Sequence, residues 1–114
     1  MSECLFCDIA AGTIPATKVY ETETAVGFVD VNPQAPVHVL FIPREHVASA
    51  AELGAQHADV LVELFEAAAE HARETGIIEG GYRMVTNVGD DAGQSVHHLH
   101  LHLIGGRRMG WPPG

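Results

Sequence analysis

Residues 98–103 read His-Leu-His-Leu-His-Leu. In an extended chain successive side chains point to opposite faces, so His98, His100 and His102 share one face and Leu99, Leu101 and Leu103 the other. The leucines need a core, and the imidazoles need something polar. Three roles suit such a row of imidazoles. They are solvated or hydrogen-bonded, they ligate zinc or iron as neutral rings, or they work as nucleophile and acid–base on an anionic substrate. The last is chemically natural, since imidazole with its ordinary pKa of about 6.5 both accepts and donates protons near neutrality. Spacing alone does not separate metal binding from catalysis.

The surrounding residues favour an anion. Gly93-Gln94-Ser95-Val96 leads into the histidines and Asn87-Val88-Gly89 lies upstream. Glycine lets the backbone approach a ligand closely, and Ser, Gln and Asn offer neutral donors to phosphate oxygens. No carboxylate shares the histidine face to support a hydrolytic metal. Two further features carry possible chemistry. His38 interrupts the apolar run Val37–Ile42, where a lone histidine is more often a hydrogen-bonded structural group. Cys4-x-x-Cys7 is half of a zinc site; a redox dithiol and two buried thiols are its alternatives, although the thioredoxin reading lacks its preceding strand.

The elements that must hold these residues follow from periodicity. Leu5, Phe6 and Ile9 have helical spacing in residues 4–11, and Gly12 ends that short helix. Lys18–Glu21 and Ala25–Val31 read as a hairpin about Glu23-Thr24. Pro33 and Pro36 make 32–36 a loop. Val37–Ile42 is a strand. From about Gln56 to Thr75, Val60, Leu61, Leu64, Phe65, Ala68 and Ala72 form an apolar stripe, with Asp59, Glu63, Glu66, Glu70 and Glu74 opposite, and Gly76 stops the helix. Tyr82–Val88 and roughly Val96–Ile104 are further strands. Short connections favour antiparallel pairing, so the expected class is α+β, with about five strands, one long helix and a short N-terminal helix.

The 114 residues suit one compact domain spanning 1–114, with 46% hydrophobic and 18% charged residues. Fifteen acidic against six basic residues give a net charge of −9, with Lys18 the single lysine. Nucleic-acid affinity is driven by Lys and Arg, so that partner class is excluded. Bound phosphate must instead meet a local set of donors. The apolar run Val37–Pro43 is too short to cross a bilayer, and the N-terminus has no signal-peptide pattern, so no membrane is expected. Two cysteines three apart suit a reducing, cytoplasmic setting.

Taken together, residues 93–103 resemble the His-x-His-x-His motif of the histidine triad (HIT) family. The chain is most similar to its HINT branch, the histidine triad nucleotide-binding phosphoramidases. Cys4–Ile9 with Gly12–Pro15 is similar to the family's opening, Phe28–His38 resembles its nucleoside-pocket segment, and Gly105–Gly114 is similar to the tail of this branch. The resemblance implies the HIT-like fold. It also implies hydrolysis of purine nucleoside 5′-phosphoramidates, AMP-linked ones favoured, with His100 as nucleophile forming a transient nucleotidyl-histidine. His102 would contact the phosphate and His38 would hold the catalytic imidazole in its useful tautomer. Ser95 would face the leaving group, with Asn87 and Gln94 as nearby donors. Asp30 would bind the ribose, and Leu5, Phe6, Ile9, Phe28 and Val31 would line the purine slot; without the resemblance these five would read as ordinary core.

The resemblance also implies a structural zinc on Cys4, Cys7, His46 and His98, with no cofactor needed for catalysis. A homodimer built on the long helix and a strand would follow, with the Trp111-Pro112-Pro113 tail reaching the partner. His97 departs from the family, which more often has an aromatic residue there, and is expected to be peripheral. Alternatives remain a dinucleoside polyphosphate hydrolase, a nucleotide-binding or partner-binding protein with incidental catalysis, and a metalloenzyme using His98, His100 and His102.

Overall fold

The computed structural model describes residues 3–114. Strands β1 (Lys18–Glu21), β2 (Ala25–Val29), β3 (Val37–Pro43), β4 (Tyr82–Val85) and β5 (Leu101–Gly105) form an antiparallel sheet in the order β1-β2-β3-β5-β4. Helix α1 (Leu5–Ala11) precedes the sheet and α2 (Ala58–Thr75) lies between β3 and β4. The expected α+β class and five-strand sheet are therefore observed. Both helices stop where expected: Gly12 and Gly76 each adopt a left-handed conformation with φ of 82°, which glycine reaches without a Cβ penalty.

One helix covers each face of the sheet. On one side Leu64, Ala67, Ala68 and Ala72 of α2 pack on Val39, Phe41, Leu99, Leu101 and Leu103. The three alanines let the helix axis approach the strands, and burying each leucine contributes roughly 1.5–3 kcal/mol. On the other side Phe6, Ile9 and Ala10 of α1 meet Val26, Phe28, Leu40 and Ile42. The histidine face is thus the α1 face. Two cores hold the sheet between them.

Several boundaries differ from the sequence reading. Strand β2 ends at Val29 rather than Val31, because the Asn32 amide donates to Asp30 Oδ1 at 2.9 Å and turns the chain. Strand β4 ends at Val85 and β5 begins only at Leu101. Beyond the Val85–His102 pair the two chains part, and the Leu99 amide bonds Val47 O at 2.6 Å instead of β4. A 3₁₀ turn, Ala55–His57, leads into α2. Phe65, expected in the buried stripe, is 46% exposed beside Val62 at 54%. Glu63 is not a solvent-facing acid. Its carboxylate accepts from Tyr20 Oη at 2.7 Å, from Thr22 Oγ1 at 2.6 Å and from Thr24 Oγ1, tying the β1–β2 hairpin to α2. Those hydrogen bonds outweigh the opposing effect of burial and pull its pKa down. Among the described residues no helix is long and apolar enough to cross a membrane.

Candidate active site

The alternation of residues 98–103 survives although only its second half is strand. Leu99, Leu101 and Leu103 are buried against α2, while Phe6 of α1 stands edge-on to His98 and His100, with ring centroids at 6.1 and 5.0 Å. His98 is fully buried and His100 is buried. Between His98 and His100 the Nδ1 of His100 lies 2.7 Å from the His98 carbonyl oxygen. A carbonyl only accepts, so His100 Nδ1 carries the proton and Nε2 keeps its lone pair. That is the tautomer a nitrogen nucleophile needs.

His102 is set by a different route. In the β3–β5 ladder Leu40 pairs with His102 and His38 with Ile104, so His38 and His102 are diagonal neighbours on one face. Their nitrogens, His38 Nε2 and His102 Nδ1, are 2.9 Å apart. The Gln34 amide donates to His38 Nδ1 at 3.0 Å, which leaves the proton on His38 Nε2. This proton faces His102 Nδ1 and, at 3.3 Å, Asp30 Oδ2. His102 Nδ1 is then an acceptor and its Nε2–H a donor. Burial, then the neighbouring His100 and His38, push the His102 pKa down to about 4, so the ring is neutral at physiological pH. Burial also lowers His38, against the opposing pull of Asp30. The sequence reading assigned His38 to the catalytic ring; the structure puts it on His102 instead, because the register makes those two diagonal.

Part of this set lines one cavity of about 390 Å³. His100, His102, Asp30 and Ser95 stand on its wall with Leu5, Phe6, Ile9, Phe28 and Val31. Val31 is 99% exposed and Leu5 45%, so the apolar wall ends in open lips rather than closing as core. Ile14, Pro15, Ala16, Val29, Leu40 and Val96 complete it. Two anticipated donors stand elsewhere. Gln94 is buried, its Oε1 accepting from the Gly89 amide at 3.0 Å and its Nε2 donating to Ala48 O and Val96 O, so its amide shapes the loop. Asn87 does not line the cavity.

A second polar cluster adjoins the first. His98 Nδ1 lies 3.3 Å from Cys4 Sγ and 3.4 Å from Cys7 Sγ, and His46 Nδ1 is 3.3 Å from Cys7 Sγ. His98 Nε2–H donates to Pro43 O at 2.8 Å, which turns the Nδ1 lone pair toward the sulfurs. All four ligand atoms fall within 4.8 Å of one another. Tetrahedral zinc with bonds of about 2.3 Å to sulfur and 2.0–2.1 Å to nitrogen spaces its ligands by roughly 3.6 Å. The donor set and its spacing fit that ion. Burial, and then the neighbouring Cys4, push the Cys7 thiol up to about 11. A shallow cleft of about 710 Å³ flanks this cluster and shares Leu5, Ser95 and Val96 with the first cavity; exposed His97 lines it, away from His100.

The HIT domain family model matches residues 11–109 of this chain. The chain belongs to the HIT family. This HIT protein is 42% identical to the Arabidopsis thaliana protein named Adenylylsulfatase HINT1, over 99% of its own length and 78% of that protein's, which agrees with the HINT branch. It is 44% identical to a Zea mays protein named 14 kDa zinc-binding protein, over 99% of its own length and 89% of the relative's. The crystal structure of a HIT family hydrolase from Legionella pneumophila Philadelphia 1 matches it with a TM-score of 0.96 at 46% identity, covering 98% of this chain and 100% of that one.

The sequence reading missed the backbone partners of the HIT protein's site. The carbonyls of His98 and Pro43 and the amide of Gln34 decide all three tautomers, and nothing in residue type marks them. Ile14–Ala16 were missed for a different reason. They follow the Gly12 turn, which the sequence marks, but only the fold shows that this turn carries them back over the α1 face.

Proposed function

We propose that this HIT protein hydrolyses purine nucleoside 5′-phosphoramidates, AMP-linked ones foremost, through a nucleotidyl group carried on His100. The observation that carries the reading is the 2.7 Å His100 Nδ1–H to His98 carbonyl bond beside a cavity with apolar walls and one carboxylate. The purine stacks between the walls given by Leu5, Phe6, Ile9, Phe28 and Val31, which suit either purine. Asp30 accepts from the ribose hydroxyls, its carboxylate oriented by the Asn32 amide.

His100 Nε2 attacks the α-phosphorus as the phosphorus–nitrogen bond breaks, and the amine leaves with a proton relayed on the leaving-group side, where Ser95 stands. Water then attacks phosphorus, the bond to Nε2 breaks, the water gives up a proton that makes good the one the amine took, and nucleoside monophosphate and neutral His100 result. One molecule of water is consumed per bond cleaved. His102 Nε2–H donates to a non-bridging oxygen as charge grows there. Hydrolase chemistry is also the class named for the Legionella structure, and the Arabidopsis relative's name joins an adenylyl group to sulfate; an adenylylsulfate would present the same phosphorus to His100.

Zinc on Cys4, Cys7, His46 and His98 belongs to the same reading. Its four protein ligands leave no position for a reactive water, so the ion supplies a cross-link between α1 and the chain at 46 and 98. The chain also forms a homodimer in this reading, and the apolar surface at Val62 and Phe65 of α2 is what such an interface would cover. Cytoplasmic residence fits cysteines placed to hold a metal, a use that suits a reducing compartment.

The test is a side-by-side assay of adenosine and guanosine phosphoramidates and adenylylsulfate with the native chain and His100→Ala. The expected result is phosphoramidate turnover that falls at least about 10³-fold in the variant while AMP still binds. Equal turnover by both proteins would refute the reading. A light-scattering monomer would refute the dimer.

A further inference from the structure

The four-ligand cluster and the nucleophile share one residue. His98 offers its ring to Cys4 and Cys7 and its carbonyl oxygen to His100 Nδ1 at 2.7 Å. His98 and His100 precede β5, which begins at Leu101, so no strand ladder orients the peptide that carries this carbonyl. Two anchors do so. The Leu99 amide is fixed to Val47 O, and the His98 ring is held at both nitrogens, by Pro43 O on one side and the sulfurs on the other. The Leu99 N–H and the His98 carbonyl belong to one peptide plane, and a ring pinned on two sides holds the His98 end of that plane, so the two anchors together set where the carbonyl points. A carbonyl rotated away would free His100 Nδ1, and the Nε2 lone pair would no longer be guaranteed.

We propose that Cys4, Cys7 and His46 are positioning residues for the hydrolysis: by holding a bound zinc against His98 they fix the carbonyl that keeps His100 in its attacking tautomer. The zinc cluster thus sets the turnover rate as well as the stability of the fold. This rests on the reading of His100 as nucleophile given above. It concerns the rate rather than the grip on the nucleotide, because α1 has a separate mooring. Arg44 Nη1 donates to Ala10 O, and Phe6, Ile9 and Ala10 pack on β2 and β3. The apolar walls of the nucleotide cavity therefore stay in place when the cluster opens.

His46 is the ligand to remove, since it is exposed and its loss leaves the core intact. The experiment compares native protein, chelator-stripped protein and His46→Ala in four readouts: zinc content, AMP affinity by calorimetry, steady-state kinetics on adenosine phosphoramidate, and the imidazole ¹⁵N signals of His100. Stripped protein and His46→Ala are expected to lose kcat by about tenfold or more with KM and AMP affinity changed less than about threefold, a rise of about 1.4 kcal/mol in the barrier per tenfold. Stepwise zinc is expected to restore kcat in the variant, and the His100 signals are expected to move from one tautomer to a mixture when zinc is removed. Unchanged kcat in zinc-free protein overturns the proposal. So does a fall in kcat matched by an equal fall in AMP affinity, which would report general loosening. If native protein cleaves no phosphoramidate, the parent reading fails, and the His100 signals alone decide this one.

Discussion

Cys4, Cys7, His46 and His98 draw together at one end of the histidine run, and Asp30, His38 and His102 at the other; each group brings its ligand-type atoms within 4.8 Å. By residue type both are candidate metal sites. They differ in what occupies the far nitrogen of the central ring. His98 gives its Nε2–H to Pro43 O and turns a lone pair to two sulfurs. His38 receives the Gln34 amide at Nδ1, so its Nε2 keeps a hydrogen and faces Asp30 and His102 as a donor. A cation at that nitrogen would have to displace the hydrogen and leave an imidazolate. The first cluster is a ligand set and the second a proton-ordered chain. Ligand-type side chains in a group are not enough; the backbone group on the other nitrogen decides what they do.

The sharpest way to break this contrast is metal content. The native protein is expected to carry one zinc per chain, Cys7→Ser essentially none, and His38→Ala one as before. A second equivalent of tightly bound zinc, lost in His38→Ala, would erase the distinction. Next in size is the rate. His102→Ala removes the donor that the proposed mechanism aims at the phosphate and is expected to lower kcat by about 10²-fold, with zinc content untouched. His38→Ala, which acts only through His102, is expected to lower kcat less, by about tenfold. If the two variants reversed that order, the chain from Gln34 to His102 would be misassigned.

The smallest effect is on stability against pH. The folded pKa of His102 is about 4, against about 6.5 in an unfolded chain. Between those values the unfolded chain takes a proton that the folded ring refuses, so stability falls as pH drops from about 6.5 to 4 and is unaffected above that window. His102→Gln removes this contribution. Urea unfolding of both proteins at pH 7 and pH 5 is expected to show a larger drop for the native chain, and zinc release, common to both, cancels in the difference. An equal drop in the two would contradict the depressed pKa.

Much of this was legible from residue order. His-Leu alternation predicted both faces of the last strand, and it held outside the strand as well, because an extended backbone alternates whether or not a ladder pairs it. The cavity walls from Leu5 to Val31 and the Cys4/Cys7/His46/His98 set were named through resemblance, and the fold gathers each of them. What stayed hidden has a common cause. Glu63 reads as an exposed acid by helical period, yet three hydroxyls of the hairpin reach it across the fold. His38 was paired with the wrong imidazole because the β3–β5 register is not written in either strand. Gln94 resembles a ligand donor by type, but both ends of its amide are taken by loop backbone. Long-range register and backbone partners are tertiary facts.

The central claim is that His100 Nε2 takes the nucleotidyl group. Mixing the protein with adenosine phosphoramidate, stopping the reaction in alkaline denaturant within the first turnovers, and weighing the intact chain and its peptides tests it directly. The account predicts a mass increase of one nucleotidyl group on the peptide containing His100, absent from His100→Ala. Turnover with no such adduct, or an adduct on His102 or His98 instead, would contradict it.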